Sequence, residues 1–378
     1  MNRAKRRLFQ LLTLAGSIVV LELGAAGVTV LLWHQGWMPR LRAITPVMLG
    51  NYLAHRNPIL GWGPSVDASG QVLVLSGRTA PQAADGAACV SAYGDSFTFG
   101  SDVLDDQTYP HQLGLRLGCR VANYGVGGYG SDQAFMRYRA QRGLDQAPTV
   151  ILAHVSENIL RNVNQYRALL YPGPGQELSF KPVFTLAGGR LTHVPPTVAT
   201  ADEYTAVARD AGSHLPLDAF RTRPRREFPY LLALARWGAT DFHVRAFIGG
   251  RPRHVPFYQA GHPSRALALT STILRTFAGE ANARGQRSLV LLIPVGPDFA
   301  YHQRTGTWPD EPLYRSLSDA GVEVLHGGRA LRARLGPADP CVLYADCDGH
   351  FNARGYEWLA ASIDEFWRMS SGRIEPRH

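Results

Sequence analysis

One hydroxyl stands at the end of a short apolar run. Cys89-Val90-Ser91-Ala92-Tyr93 leads directly into Gly94-Asp95-Ser96-Phe97-Thr98-Phe99-Gly100. A buried strand that ends in a small, turn-prone segment is how an α/β sheet presents a nucleophile at its carboxyl edge, which makes Ser96 the candidate. A serine hydroxyl attacks poorly unless a base takes its proton, and the base needs an orienting carboxylate. Asp348-Gly349-His350-Phe351-Asn352 carries both groups in one loop, just ahead of a stretch in which Tyr356, Leu359, Ile363 and Phe366 fall on one helical face. Taken singly, the first segment would be a Gly-Asp turn with a solvated serine, and the second a helix cap at Asn352.

Two further segments join them. Asn123-Tyr124-Gly125-Val126-Gly127-Gly128-Tyr129-Gly130 and Val150-Ile151-Leu152-Ala153-His154-Val155-Ser156-Glu157-Asn158 each contain or follow a strand-like run. Both would end at the same sheet edge as Ser96, where a backbone amide and a carboxamide can point at a developing oxyanion.

In these four blocks the chain resembles the SGNH/GDSL hydrolase family over about residues 88–366. The resemblance implies Ser96 as nucleophile, with the Ser96 amide, the Gly128 amide and the Asn158 side chain as oxyanion donors. It also implies His350 as base and Asp348 as its orienting acid, with Asp346 in reserve. Two blocks depart from the family pattern. The third, usually Gly-x-Asn-Asp, reads Ser156-Glu157-Asn158-Ile159, and Cys347 stands three residues before His350, where an Asp is often found. The activity implied is hydrolysis, or transfer, of a small acyl group such as acetyl on a carbohydrate or other hydroxylated substrate. Polysaccharide O-acetyl transfer and a catalytically idle glycan-binding or assembly role are the alternatives. No cofactor and no metal are expected.

Gly125, Gly127 and Gly130 also spell a dinucleotide fingerprint ahead of the helical run 132–142, with Glu157 ending the next strand. That reading leaves the Gly-Asp-Ser and Asp-x-His blocks unused. His154 and His111 read as core or surface histidines.

The elements that must carry these groups begin with an anchor. Arg3, Lys5, Arg6 and Arg7 precede the run Leu8 to Trp33, in which Glu22 is the sole formal charge. At 1.5 Å per residue this run crosses a bilayer core of about 30 Å. Basic residues on its amino side predict a cytoplasmic N-terminus and a periplasmic body, with residues 1–34 as the anchor. A signal peptide cleaved near Gly24-Ala25-Ala26 is the rival. Glu22 calls for protonation or a partner helix.

Residues 35–87 read as a stalk and 88–370 as the hydrolase domain, interrupted by an insertion at about 162–261 placed to roof the site. Within the insertion a hairpin near 183–191 and a helix near 230–237 are expected. Strand-like runs at 89–93, 121–124, 149–155, 288–293 and 322–325, alternating with helical patterns, predict a three-layer α/β/α flavodoxin-like fold with a five-stranded parallel sheet. Net charge is +9, almost wholly from arginine, since lysine occurs only at Lys5 and Lys181. The bias is mainly compositional, with Arg221, Arg223, Arg225 and Arg226 as the densest patch for anionic glycans or headgroups. Nucleic acid is excluded as a partner for an exported body. The four cysteines suit an oxidising compartment. Of three possible pairings, Cys89 with Cys119 and Cys341 with Cys347 is expected.

Overall fold

The computed structural model describes residues 3–64, 87–196 and 198–370. Residues 65–86 of the expected stalk lie outside them. In chain order, the elements used below are helix α1 (Arg3–His34), strand β1 (Val90–Gly94), the one-turn helix α2 (Ser96–Phe99), α3 (Tyr109–Leu117), β2 (Val121–Gly125), α4 (Ser131–Gln141), β3 (Thr149–Val155) and α5 (Asn158–Arg161). They continue with β4 (Val183–Ala187), β5 (Arg190–Val194), α6 (Tyr230–Thr240), α7 (Phe242–Ile248), α8 (Ala266–Ala283), β6 (Arg287–Ile293), β7 (Val324–His326), α9 (Gly327–Leu335) and α10 (Ala353–Met369). The chain divides into two compact units: Met1–His55 with Asn164–Phe180 and Thr197–Arg253, and Arg56–Val163 with Lys181–Pro196 and His254–His378.

The larger unit is an α/β sheet domain. Its five strands lie in the order β2-β1-β3-β6-β7, all parallel, with Val90 opposite both Val121 and Thr149, Thr149 opposite Arg287, and Val290 opposite Val324. Every residue of β1 and β3 is buried. That explains why these strands read as continuous apolar runs, since a parallel sheet is covered on both faces by its crossover helices. One set of helices, α3, α9 and α10, contributes Leu113, Leu331, Leu359, Ile363 and Trp367 to a core with Ala92, Ile151, Leu289 and Leu291. Helices α4 and α8 pack together, with Tyr138 meeting Phe277 edge to face at 5.2 Å.

Strand β7 starts two residues later than the sequence pattern suggests. The Val322 amide is taken by the Leu317 carbonyl, closing the preceding helix through Gly321 at φ +70°. The antiparallel hairpin β4–β5 forms close to where it was expected. Both expected disulfides are present, Cys89–Cys119 and Cys341–Cys347.

The smaller unit holds α1, the one helix among the described residues that is long and apolar enough to cross a membrane, with a mean hydropathy of 2.0 over its best window. Trp37 and Arg42, at the start of the expected stalk, make contacts within this unit. Arg223 donates to the Leu169 carbonyl at 2.6 Å and to the Trp37 carbonyl, and pairs with Asp241 at 2.5 Å. The Tyr204 hydroxyl donates to the Arg42 carbonyl at 2.6 Å. Arg223 is thereby buried, and Arg221 and Arg225 donate to carbonyls of their own unit, so the arginine patch is largely spent on structure.

Candidate active site

The turn that carries Ser96 depends on two glycines. A Cβ on Gly94 would stand 2.1 Å from Thr98 Oγ1, and one on Gly125 would stand 2.2 Å from the Phe99 amide. Helix α2 can therefore fold back over the ends of β1 and β2 only if both side chains are absent. Asp95 caps α2, accepting from the Phe97 amide at 2.9 Å, and pairs with Arg161 at 3.0 Å. Ser96 is the first residue of α2, and Gly100, at φ +81°, ends it in the left-handed region.

Ser96 Oγ lies 2.8 Å from His350 Nε2, and His350 Nδ1 lies 2.9 Å from Asp102 Oδ2. The Ser96–His350 contact joins two segments 254 residues apart. The imidazole also packs on Phe97, centroid to centroid 4.9 Å. Among the described residues the carboxylate on Nδ1 is thus that of Asp102, where the resemblance implied Asp348. The loop explains the difference. The Gly349 amide donates to the Asp346 carbonyl at 2.7 Å and the Ala345 amide to the His350 carbonyl at 2.9 Å, while Cys347 is tied to Cys341. Asp348 occupies the third position of the tight turn 346–349, and its side chain is exposed. Asp102 comes to the imidazole from the other side, on the turn that follows Gly100.

Asn158 opens α5 and is fully buried, yet neither its Nδ2 nor its Oδ1 has a hydrogen-bond partner among the described residues. An orphaned buried carboxamide is rare, because it forfeits the hydrogen bonds it had in water. Gly128 has φ +79° in the turn closed by the Tyr129 amide on the Val126 carbonyl at 3.2 Å. One residue that sequence reasoning did not connect to this loop is Trp62. Its Nε1 donates to the Gly127 carbonyl at 3.0 Å, and its own carbonyl accepts from the Tyr129 hydroxyl at 2.5 Å. No spacing rule could have signalled a contact across 65 residues.

A second Ser–His pair lies deeper. Ser131 Oγ is 2.7 Å from His154 Nδ1, and His154 Nε2 is 2.9 Å from the Tyr258 hydroxyl. Both Ser131 and His154 are sealed from solvent. Burial, aided by His254 and Arg161 and opposed by Asp310, pushes the His154 pKa down to about 3. A neutral imidazole with both nitrogens engaged and no route to substrate is a core contact.

The glycine fingerprint is likewise closed to a pyrophosphate. At the start of α4 the Gly130 amide donates to Gln133 Oε1, the Asp132 amide to Asn162 Oδ1 and the Gln133 amide to Asp132 Oδ1. The amides that would greet phosphate are already taken, one of them by a carboxylate.

Comparison with protein-family models returns no match, and comparison with curated proteins returns none. Among solved structures, the chain matches a protein described as lipolytic and of the G-D-S-L family, from Desulfitobacterium hafniense DCB-2. The TM-score is 0.37 and the identity 11%, over 74% of this chain and 98% of that one. A second solved chain matches with a TM-score of 0.35 and 14% identity, over 74% of this chain and 95% of its own length.

Proposed function

We propose that this protein is a membrane-anchored serine esterase of SGNH/GDSL type whose sheet domain faces the periplasm. The observation that carries the reading is the continuous contact Asp102–His350–Ser96, with both hydrogen bonds under 3 Å, at the carboxyl edge of a parallel sheet. Distances of this size are within reach for proton transfer in the ground state.

Ser96 Oγ attacks the acyl carbonyl as its proton passes to His350 Nε2. Asp102, accepting from Nδ1–H, fixes the tautomer and stabilises the imidazolium that forms. The oxyanion is received by the Ser96 and Gly128 amides and by Asn158 Nδ2, which has no partner among the described residues. Collapse expels the alcohol, which takes the proton from His350. A water molecule or an acceptor hydroxyl, deprotonated by the same imidazole, then resolves the acyl-enzyme and regenerates Ser96. Acetyl on a cell-envelope carbohydrate is the proposed substrate class, and transfer to a second hydroxyl uses the same groups as hydrolysis.

The test is release of p-nitrophenol from p-nitrophenyl acetate by the detergent-solubilised full chain, alongside Ser96→Ala and His350→Ala. Loss in both variants is expected, together with covalent labelling of Ser96 by a fluorophosphonate. An inert parent whose Ser96 resists the label would overturn the catalytic reading in favour of a glycan-binding protein.

A further inference from the structure

Helix α1 offers lipid an apolar surface, but its outer part is not alone. Glu22 sits twelve residues before His34, about 18 Å from the end of the helix and so well inside a bilayer core of about 30 Å. Its carboxylate accepts from the Tyr230 amide at 2.8 Å and the Leu231 amide at 3.3 Å, the first two amides of α6. A helix N-terminus presents unpaired donors and a partial positive charge. The one carboxylate in the span and the one exposed helix start beside it therefore satisfy each other.

From that point α6 runs in the same direction as α1, because Trp237, two turns on, donates from Nε1 to the carbonyl of Trp37, just beyond the end of α1. The seam is built of small residues. Ala25 and Thr29 are the buried positions of α1 below Trp33, and Ala233 is the buried position of α6. Close approach through small side chains is how helices associate where lipid tails remove the hydrophobic drive.

Outward, the first turn of α6 and the residue Phe228 just before it are apolar. Phe228 is 73% exposed, and Leu231 and Leu232 are 43% and 45% exposed. After Glu227 the next charge is Arg236. At the upper end Trp37 meets Trp237 and Phe247 edge to face, while Arg40 and Arg42 lie over the Trp33 ring. Tryptophan with arginine at one level marks the boundary between hydrocarbon and headgroups.

We infer that α6 is a second membrane-embedded element, entering the outer leaflet beside α1 with Phe228, Leu231 and Leu232 in hydrocarbon and its N-terminus capped from within the bilayer by Glu22. The occupant of this face is lipid, because its apolar surface continues that of α1. The inference rests on the anchor reading of α1 given above.

The test uses the full chain in vesicles of phosphatidylcholine and phosphatidylglycerol. All four native cysteines are paired, so a nitroxide can be placed singly at Leu232→Cys, with Leu14→Cys as the reference in the span and Leu115→Cys as the reference in water. p-Nitrophenyl acetate turnover and circular dichroism report on folding in each variant. Collisions with oxygen should dominate at Leu232→Cys as at Leu14→Cys, with loss of the nickel-chelate collisions seen at Leu115→Cys. The same ordering is expected at Phe228→Cys. Water-like collisions at both Leu232→Cys and Phe228→Cys, with Leu14→Cys in lipid, would overturn the inference and leave the anchor standing. Water-like collisions at Leu14→Cys would remove both. Protection of Leu232→Cys and Phe228→Cys from both reagents would assign the face to a second protein chain and overturn the lipid reading.

Discussion

Two aspartates compete for one imidazole, and they can be separated by substitution. Asp102 touches His350 Nδ1 at 2.9 Å, whereas Asp348 is held outward by its turn. Asp102→Asn should lower kcat by about 10²- to 10⁴-fold, because an amide can donate to Nδ1 and hold the wrong tautomer. Asp348→Asn should leave kcat within about a factor of three, which is under 1 kcal/mol in the barrier. Steady-state hydrolysis of p-nitrophenyl acetate decides between them, and the reverse ranking would return the role to Asp348. Asn158→Ala should cost about 10²- to 10³-fold in kcat with KM little changed, the signature of a donor used mainly in the transition state. A rise in KM at constant kcat would instead make Asn158 a ground-state contact. Ser96 and His350 could be picked out from sequence because each sits in a short block with few alternative uses. Asp102 could not, since Gly100-Ser101-Asp102 looks like any surface turn and its contact with His350 exists only once α2 has folded back over the sheet.

The elements were legible to the degree that a single period governs them. The buried strands β1, β3 and β6 are mostly apolar runs, and Leu274, Phe277 and Ala281 in α8, like Tyr356, Leu359 and Ile363 in α10, mark their faces at helical spacing. Long-range pins carry no such period. Lys181, at the entry to β4, lies 2.5 Å from Asp132 on α4, and both side chains are fully buried. The ammonium also donates to the carbonyls of Arg161 and Pro182 at 3.1 and 2.9 Å. From sequence this residue is only one of two lysines; in the fold it fastens the hairpin to the helix that follows β2. Lys181→Met should destabilise the protein by about 3–5 kcal/mol, because it leaves the Asp132 carboxylate buried and without its counter-ion. The double variant with Asp132→Leu should recover much of that loss, since neither charge then remains. Urea unfolding followed by tryptophan fluorescence measures both. If the double variant is no more stable than Lys181→Met, the cost lies in lost packing and not in the unpaired charge.

At the scale of the whole molecule, each of the two units encloses a histidine that burial keeps neutral. Desolvation lowers His154 to about 3 in the sheet unit, and desolvation with Arg223 and Arg253 lowers His243 to about 2 in the unit that holds α1. This division was not legible, because the smaller unit draws on three stretches of chain that composition assigns separately to anchor, stalk and insertion. The shared consequence is acid sensitivity. An unfolded histidine takes up a proton below pH ~6.5, whereas these two refuse it in the folded state until far lower pH, so the unfolded state binds more protons. The associated stability is fully present above pH ~6.5 and declines as the pH falls toward 3, by up to about 1.4 kcal/mol per pH unit for each group. His154→Gln offers a hydrogen-bonding amide to Ser131 and Tyr258 but cannot titrate. The variant will start from lower stability, so the slope with pH is the quantity to compare. Between pH 6.5 and 5.0 the sheet unit of His154→Gln should lose about 1.6 kcal/mol less than that of the parent. Urea midpoints read from loss of Ser96 labelling report on that unit. Equal acid losses in the two proteins would mean that His154 is already protonated in the native fold, and that the Ser131–His154–Tyr258 contact holds an imidazolium in the core.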